Sequence, residues 1–159
     1  MKPTFKYGLI IGIACALWTY IMGFFGWYYD PALSNLFWIV ILIEIVVLFF
    51  GLKQTMTEKN YWQQVGTGTL MAVLGSIIIF VASIIFTSVL FPNYFNEVRE
   101  MNRQLFEQQG KTPEQVETLI QTMSSMQTPF FQALTGMLGT IFTGFVGSLI
   151  LSAYYRKKD

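Results

Sequence analysis

LFWIVILIEIVVLFFGL, residues Leu36–Leu52, is an apolar run broken once, by the carboxylate of Glu44 at its middle. At about 1.5 Å per residue a helix over this run covers roughly 25 Å, slightly less than a ~30 Å hydrocarbon core. Little tilt is expected. A charged side chain at the centre of a spanning helix costs about 2.5–3.5 kcal/mol on insertion scales. Neutralising a glutamate with an ordinary pKa of about 4.3 at pH 7 costs a similar amount, about 3.7 kcal/mol. Neither escape is free, so the carboxyl should face neighbouring helices and bond to something there.

Three further runs of the same kind flank this one. The first covers about residues 7–27 and ends in Trp27, Tyr28 and Tyr29, amphipathic rings that suit the headgroup level. Asp30-Pro31 then turns the chain. After the second run, Lys53 to Gln64 reads as a polar connector closed by Tyr61 and Trp62. The third span takes about residues 66–91 and stops at Pro92-Asn93, long enough to tilt. The fourth takes about residues 130–155 after Pro129. No internal repeat relates the two halves.

Lys2 and Lys6 before an apolar stretch imitate a signal peptide, and Ala14-Cys15 imitates a lipoprotein cleavage site. A cleavable segment should end in small residues followed by polar sequence. Here the apolar run continues through Phe24, Phe25 and Trp27, so a retained span is expected.

Composition narrows the function classes. The 159 residues are 53% hydrophobic and 12% charged, against about 25% charged for an ordinary soluble domain. Mean hydropathy is +0.50. A net charge of +1 without a basic stripe gives no reason to expect a nucleic-acid partner. The lone Cys15 has no partner for an intramolecular disulfide, and the chain contains no histidine. That removes the commonest general base, metal ligand and nucleophile activator at once. An enzyme is not expected, and neither is a cofactor or a metal.

Orientation follows from the basic residues. Lys2, Lys6, Lys53, Lys59, Arg156, Lys157 and Lys158 fall on one side of four spans; Arg99, Arg103 and Lys111 fall on the other. The positive-inside rule then places both termini in the cytoplasm, as in a multi-pass protein of a bacterial inner membrane. Residues 93–127 would lie outside. They carry five glutamates against three basic residues, a net charge of −2. Val98, Met101, Leu105 and Phe106 recur at helical spacing up to Gly110. Thr112-Pro113-Glu114-Gln115 opens a second helix with a capping box and a proline at its first position. Val116, Leu119, Ile120, Met123 and Met126 give that helix an apolar stripe, so a helical hairpin is expected. The Met123 and Met126 pair reads as hairpin core or as a soft contact surface.

No Lys, Arg or His lies in any span, so Glu44 has no internal counter-charge. The polar groups at comparable depth are the hydroxyls of Thr19, Ser76, Ser83, Thr140 and Thr143. An apolar surround without a cation favours the neutral acid. Two roles stay open, a carboxylate that couples protons or cations, and a buried hydrogen bond that fixes helix register.

Small residues recur along the fourth span. Gly136, Thr140, Gly144 and Ser148 form one row and Gly139, Thr143 and Gly147 a second; Gly8, Gly12 and Ala16 form a shorter row on the first span. Such rows let membrane helices approach closely. They serve packing within the monomer or, alternatively, a homo-oligomer seam through the fourth span.

Lys6-Tyr7-Gly8-Leu9-Ile10-Ile11-Gly12, Gly51-Leu52-Lys53, and Phe106-Glu107-Gln108-Gln109-Gly110 followed by an acidic helix stand in that order along the chain. In this the whole chain resembles the bacterial family known as domain of unknown function 4199. The resemblance implies a small four-span membrane protein. It assigns no activity and so transfers no functional residue. The connector Glu58-Lys59-Asn60-Tyr61-Trp62 departs from the glycine-rich connector usual there, and no family motif matches Glu44.

The expected fold is therefore an all-α membrane protein: four transmembrane helices with an extracytoplasmic helical hairpin between the third and fourth. Besides the lipid bilayer, its expected partner is a protein that recognises residues 93–127. The alternative is a small proton- or cation-coupled transporter that uses Glu44.

Overall fold

The computed structural model describes residues 2–56 and 59–155. Arg156, Lys157 and Lys158, which contribute to the charge count above, lie outside the described residues, as does Glu58 of the connector. Six helices carry the fold: α1 (Pro3–Phe24), α2 (Ile39–Thr55), α3 (Tyr61–Ile85), α4 (Tyr94–Gln108), α5 (Pro113–Ser124) and α6 (Pro129–Tyr155). No strand occurs among the described residues. Four helical stretches are long and apolar enough to cross a membrane: Pro3–Phe24, Ser34–Lys53, Tyr61–Leu90 and Pro129–Tyr155.

Local chemistry sets the ends. Pro3 occupies the first turn of α1, where its missing N–H is no loss. Gly26 takes a left-handed conformation with φ 70° and turns the chain off the end of α1. The Asp30 carboxylate accepts from Ala32 N–H, and the Asp30 carbonyl accepts from Leu33 and Ser34. A tighter turn over Ser34–Trp38 then feeds α2. On α3 the sequence reading starts too late. Asn60 and Gln63 form a reciprocal capping box, so the helix begins at Tyr61 and takes in the end of the connector, Tyr61 to Gln64. Its far end widens into one π turn, Phe86–Leu90, before Phe91 leaves the helix.

Packing is densest along α3, which touches α6 and α1 most extensively. On α1, a Cβ added to Gly12 would stand 2.8 Å from the Gly75 carbonyl oxygen, and one added to Gly8 3.0 Å from that of Met71. These are backbone-to-backbone approaches that no larger residue allows. The α3–α6 pair runs antiparallel: Gly68 meets Ser148 and Ala72 meets Gly144, one turn further up α3 for one turn further down α6. Ile11, Leu48, Met71 and Ala72 are wholly buried at the centre. Large apolar side chains such as Phe24, Leu42, Phe142 and Ile150 stand more than 60% exposed on the outside, where acyl chains would cover them.

Between the third and fourth apolar stretches, α4 and α5 touch each other. Thr112 and Gln115 form the anticipated capping box, and Gly110, with φ 76°, ends the turn between the two helices. Val116 and Ile120 are buried, and Arg103 Nη2 reaches Glu117 Oε2 at 3.1 Å. Met126 stands 59% exposed and so belongs to the surface, not to a core.

Candidate functional site

Glu44 lies at mid-length of α2 and is 3% exposed. It points into the junction of α2, α3 and α6. Its Oε2 lies 2.5 Å from the Thr143 hydroxyl oxygen on α6. Its Oε1 is buried with no hydrogen-bond partner among the described residues. Glycine at position 144 makes the space for this carboxyl. A Cβ there would stand 2.7 Å from Oε1 and collide with the Ala72 side chain.

The protons of this group can be counted. Thr143 Oγ1 is 2.5 Å from Glu44 Oε2, 2.9 Å from the Gly139 carbonyl and 3.2 Å from the Thr140 carbonyl, yet it carries one proton. A neutral Glu44 donates its acid proton to Thr143 Oγ1, which donates its own to Gly139. Every proton then has an acceptor. An ionised Glu44 would draw the threonine proton away from the backbone and leave a charged Oε1 buried without a donor, the costlier arrangement. The geometry therefore fits a carboxylic acid that acts as donor.

Of the five hydroxyls expected around Glu44, the structure brings up one. Thr19 donates to the Cys15 carbonyl at 3.0 Å, Ser76 to that of Val73 at 2.8 Å, and Thr140 to that of Gly136 at 3.0 Å. Each is satisfied by its own helix, the usual fate of a hydroxyl inside one. Ser83 makes no bond to Glu44, and it lies eleven residues beyond Ala72, about 16 Å along α3. The Cys15 thiol is buried and directed at the Val40 carbonyl at 3.7 Å, one turn before Glu44. Among the described residues, no three His, Cys, Asp or Glu side chains come together as a metal site would require.

The rows of small residues divide. Gly144, Gly147 and Ser148 are buried; a Cβ on Gly147 would stand 2.5 Å from Ile45 Cδ1. On α1, Gly8 and Gly12 are engaged with α3. A Cβ on Gly136 would stand 3.8 Å from Ile79 Cγ2, and one on Gly139 would meet nothing within 4 Å.

Two polar features were not read from the sequence. At the base of α4, the Tyr28 hydroxyl donates to Glu97, while its ring packs 5.0 Å from that of Tyr94 and 6.0 Å from that of Phe91. Phe86 joins this cluster 4.6 Å from Phe91. Burial, then the Glu97 carboxylate, pushes the Tyr28 phenol above its ordinary range. The sequence signal was Tyr28 beyond the span end and Glu97 in the first turn of a helix, but nothing in it joined residues 69 positions apart. At the opposite end of the bundle, Thr55 donates to Gln64 Oε1 at 2.9 Å and Lys59 Nζ to Thr67 at 2.6 Å. In the sequence Thr55, Lys59 and Gln64 fall in the polar connector and Thr67 in the third span.

Fold and site together define a small all-helical protein with four helices suited to a membrane and one acid buried among three of them. No curated protein and no solved structure matches it. The chain belongs to the family described as "Protein of unknown function (DUF4199)", whose model matches residues 6–157. The resemblance carried by Lys6–Gly12, Gly51–Lys53 and Phe106–Gly110 is borne out by that match.

Proposed function

We propose that this is a non-enzymatic multi-pass protein of a bacterial inner membrane, with both chain ends in the cytoplasm, that binds a protein partner through an external hairpin formed by α4 and α5. The distribution of lysine and arginine supports the orientation. The observation that carries the recognition reading is the way α4 is held. Tyr28, Phe86, Phe91 and Tyr94 grip its first turn, and the Tyr28–Glu97 bond ties it to the turn that follows α1. A surface fixed to its anchor loses little entropy when it binds. The α4–α5 pair also frames an open polar cleft of about 400 Å³ that includes Arg99, Arg103, Glu117 and Gln121.

A photo-crosslinking residue placed at Gln121 in intact cells tests this. One discrete protein adduct is expected there and none from the same residue at Leu138, which stands 54% exposed on α6. Equal, diffuse labelling at both positions would contradict the reading.

A second reading is favoured by the unbonded Oε1 of Glu44: the protein couples a proton or cation through that acid. Deleting residues 93–127 should abolish function under the first reading and leave it under the second, and Glu44→Gln should do the reverse.

A further inference from the structure

One ion pair sets the register of α4 against α5. Gly110 turns the chain midway between Arg103 and Glu117, and across that turn Arg103 Nη2 meets Glu117 Oε2 at 3.1 Å. One helical turn nearer the bundle on each helix, four residues before Arg103 and four after Glu117, Arg99 comes level with Gln121. Arg103 thus has an acid opposite it, whereas Arg99 has an amide. Arg99 forms no ion pair among the described residues. Its side chain is nevertheless fixed, for Nε donates to the Phe95 carbonyl at 3.0 Å and Nη2 to Asn96 Oδ1 at 2.6 Å. Those bonds use two of the five guanidinium N–H donors and leave three. The cleft that Arg99 lines with Asn96, Gln121 and Ser124 holds about 400 Å³, and the buried Ile120 forms part of its wall.

The glutamates nearby are engaged elsewhere. Glu97 accepts from Tyr28, Glu117 is held by Arg103, and Glu100 stands 4.0 Å from that same Arg103 and accepts from Gln104. Glu107 and Glu114 flank the tip at Gly110. Two acids therefore share Arg103, and none falls to Arg99. A guanidinium with a free set of coplanar donors is the fork that a carboxylate accepts as a bidentate pair. Asn96 adds to it, since its Oδ1 is taken by Arg99 and its amide N–H groups remain as donors. We propose that the α4–α5 cleft receives a carboxylate of the protein partner, an aspartate or glutamate side chain, with Arg99 as its docking group. The inference rests on the recognition reading above and names the chemistry that the hairpin recognises. Because Phe95 and Asn96 hold the guanidinium before anything binds, docking costs little rotamer freedom.

The test uses the full chain in phosphatidylcholine nanodiscs. The probe is a short peptide alternating glutamate with alanine, beside the same peptide with glutamine for glutamate. Binding is followed by the nuclear magnetic resonance signal of the Arg99 Nε–H group, assigned by its loss in Arg99→Lys, and by the fluorescence anisotropy of a dye on the peptide. The glutamate peptide should shift the Arg99 signal and the glutamine peptide should not. Arg99→Gln should weaken binding of the glutamate peptide by about tenfold or more, the factor for roughly 1.4 kcal/mol. Arg99→Lys keeps the charge without the fork and should recover only part of that loss. Glu117→Gln breaks an exposed ion pair at little cost in stability, frees Arg103, and should tighten binding. Lys111→Gln, at the tip, should leave it unchanged.

Equal shifts from the two peptides would overturn the assignment, as would a loss in Lys111→Gln that matches the loss in Arg99→Gln. Weaker binding in Glu117→Gln would overturn it too, and that arm decides even where Arg99→Gln disturbs α4. Inorganic phosphate that moves the Arg99 signal as far as the glutamate peptide at equal concentration would make the cleft a general anion site and end the preference for a carboxylate. In each of these cases a discrete adduct at Gln121 still upholds the recognition reading. A missing adduct with the peptide results as expected removes the protein partner and keeps the carboxylate site.

Discussion

The two halves of α6 share one vocabulary, glycine, serine and threonine at helical spacing, and use it differently. From Gly144 to Ser152 the small residues sit against α2 and α3, so close that a Cβ on Gly144 would overlap the Ala72 side chain. From Gln132 to Thr143 they are less tightly packed, and a Cβ on Gly139 would meet nothing within 4 Å. Smallness serves close approach in the inner half. In the outer half it leaves room. Glu44 stands at the border, its Oε1 beside the packed Gly144 and its Oε2 on Thr143 of the looser half.

That contrast breaks most readily at position 144. Gly144→Val has no space to relax into and should destabilise the fold by about 3 kcal/mol, at the upper end of overpacking penalties, read as a lower midpoint in a denaturation series in detergent. Wild-type stability would erase the distinction between the halves.

A smaller effect is expected outside the bundle. Tyr28→Phe removes the bond to Glu97 and should loosen the first turn of α4 by about 1 kcal/mol, seen as faster amide exchange at α4 with α3 and α6 unchanged. The phenol is held above its ordinary range in the folded chain, so the folded state keeps its proton more tightly than the unfolded one. The contribution of Tyr28 is therefore fully present below about pH 10 and is lost as pH rises beyond it. Tyr28→Phe should lack that alkaline loss.

The smallest effects should come from the looser half. Gly139→Ala should change stability by no more than about 0.5 kcal/mol in the same denaturation series. Glu44→Leu removes a buried polar group and leaves Thr143 its bond to Gly139, so its midpoint should equal or exceed that of the wild type. A large loss there would make the acid a register-fixing bond and weaken any functional role for it.

Much of this architecture was legible in the chain. Apolar runs of spanning length, with Pro129 and the Thr112–Gln115 capping box at helix starts, pointed to the helices, because length and end chemistry are local properties. The start of α3 was missed because Gln63 and Gln64 look solvated until Asn60 is seen to cap and Thr55 to reach across. Around Glu44 the sequence supplied five hydroxyls at about the right depth and could not choose among them. Four are satisfied within their own helices or lie at another level, and helix rotation, which brings Thr143 round to α2, is set by the fit of Gly68 to Ser148 and Ala72 to Gly144. The Tyr28–Glu97 latch was invisible for the same reason, since it depends on where two helix ends meet.

The neutral acid held by one threonine is the point on which the account turns, and infrared difference spectroscopy of the full chain in lipid at neutral pH tests it directly. The account predicts a carboxylic C=O band that vanishes in Glu44→Gln and shifts in Thr143→Val. A spectrum without such a band, or a band that Thr143→Val leaves in place, would contradict it.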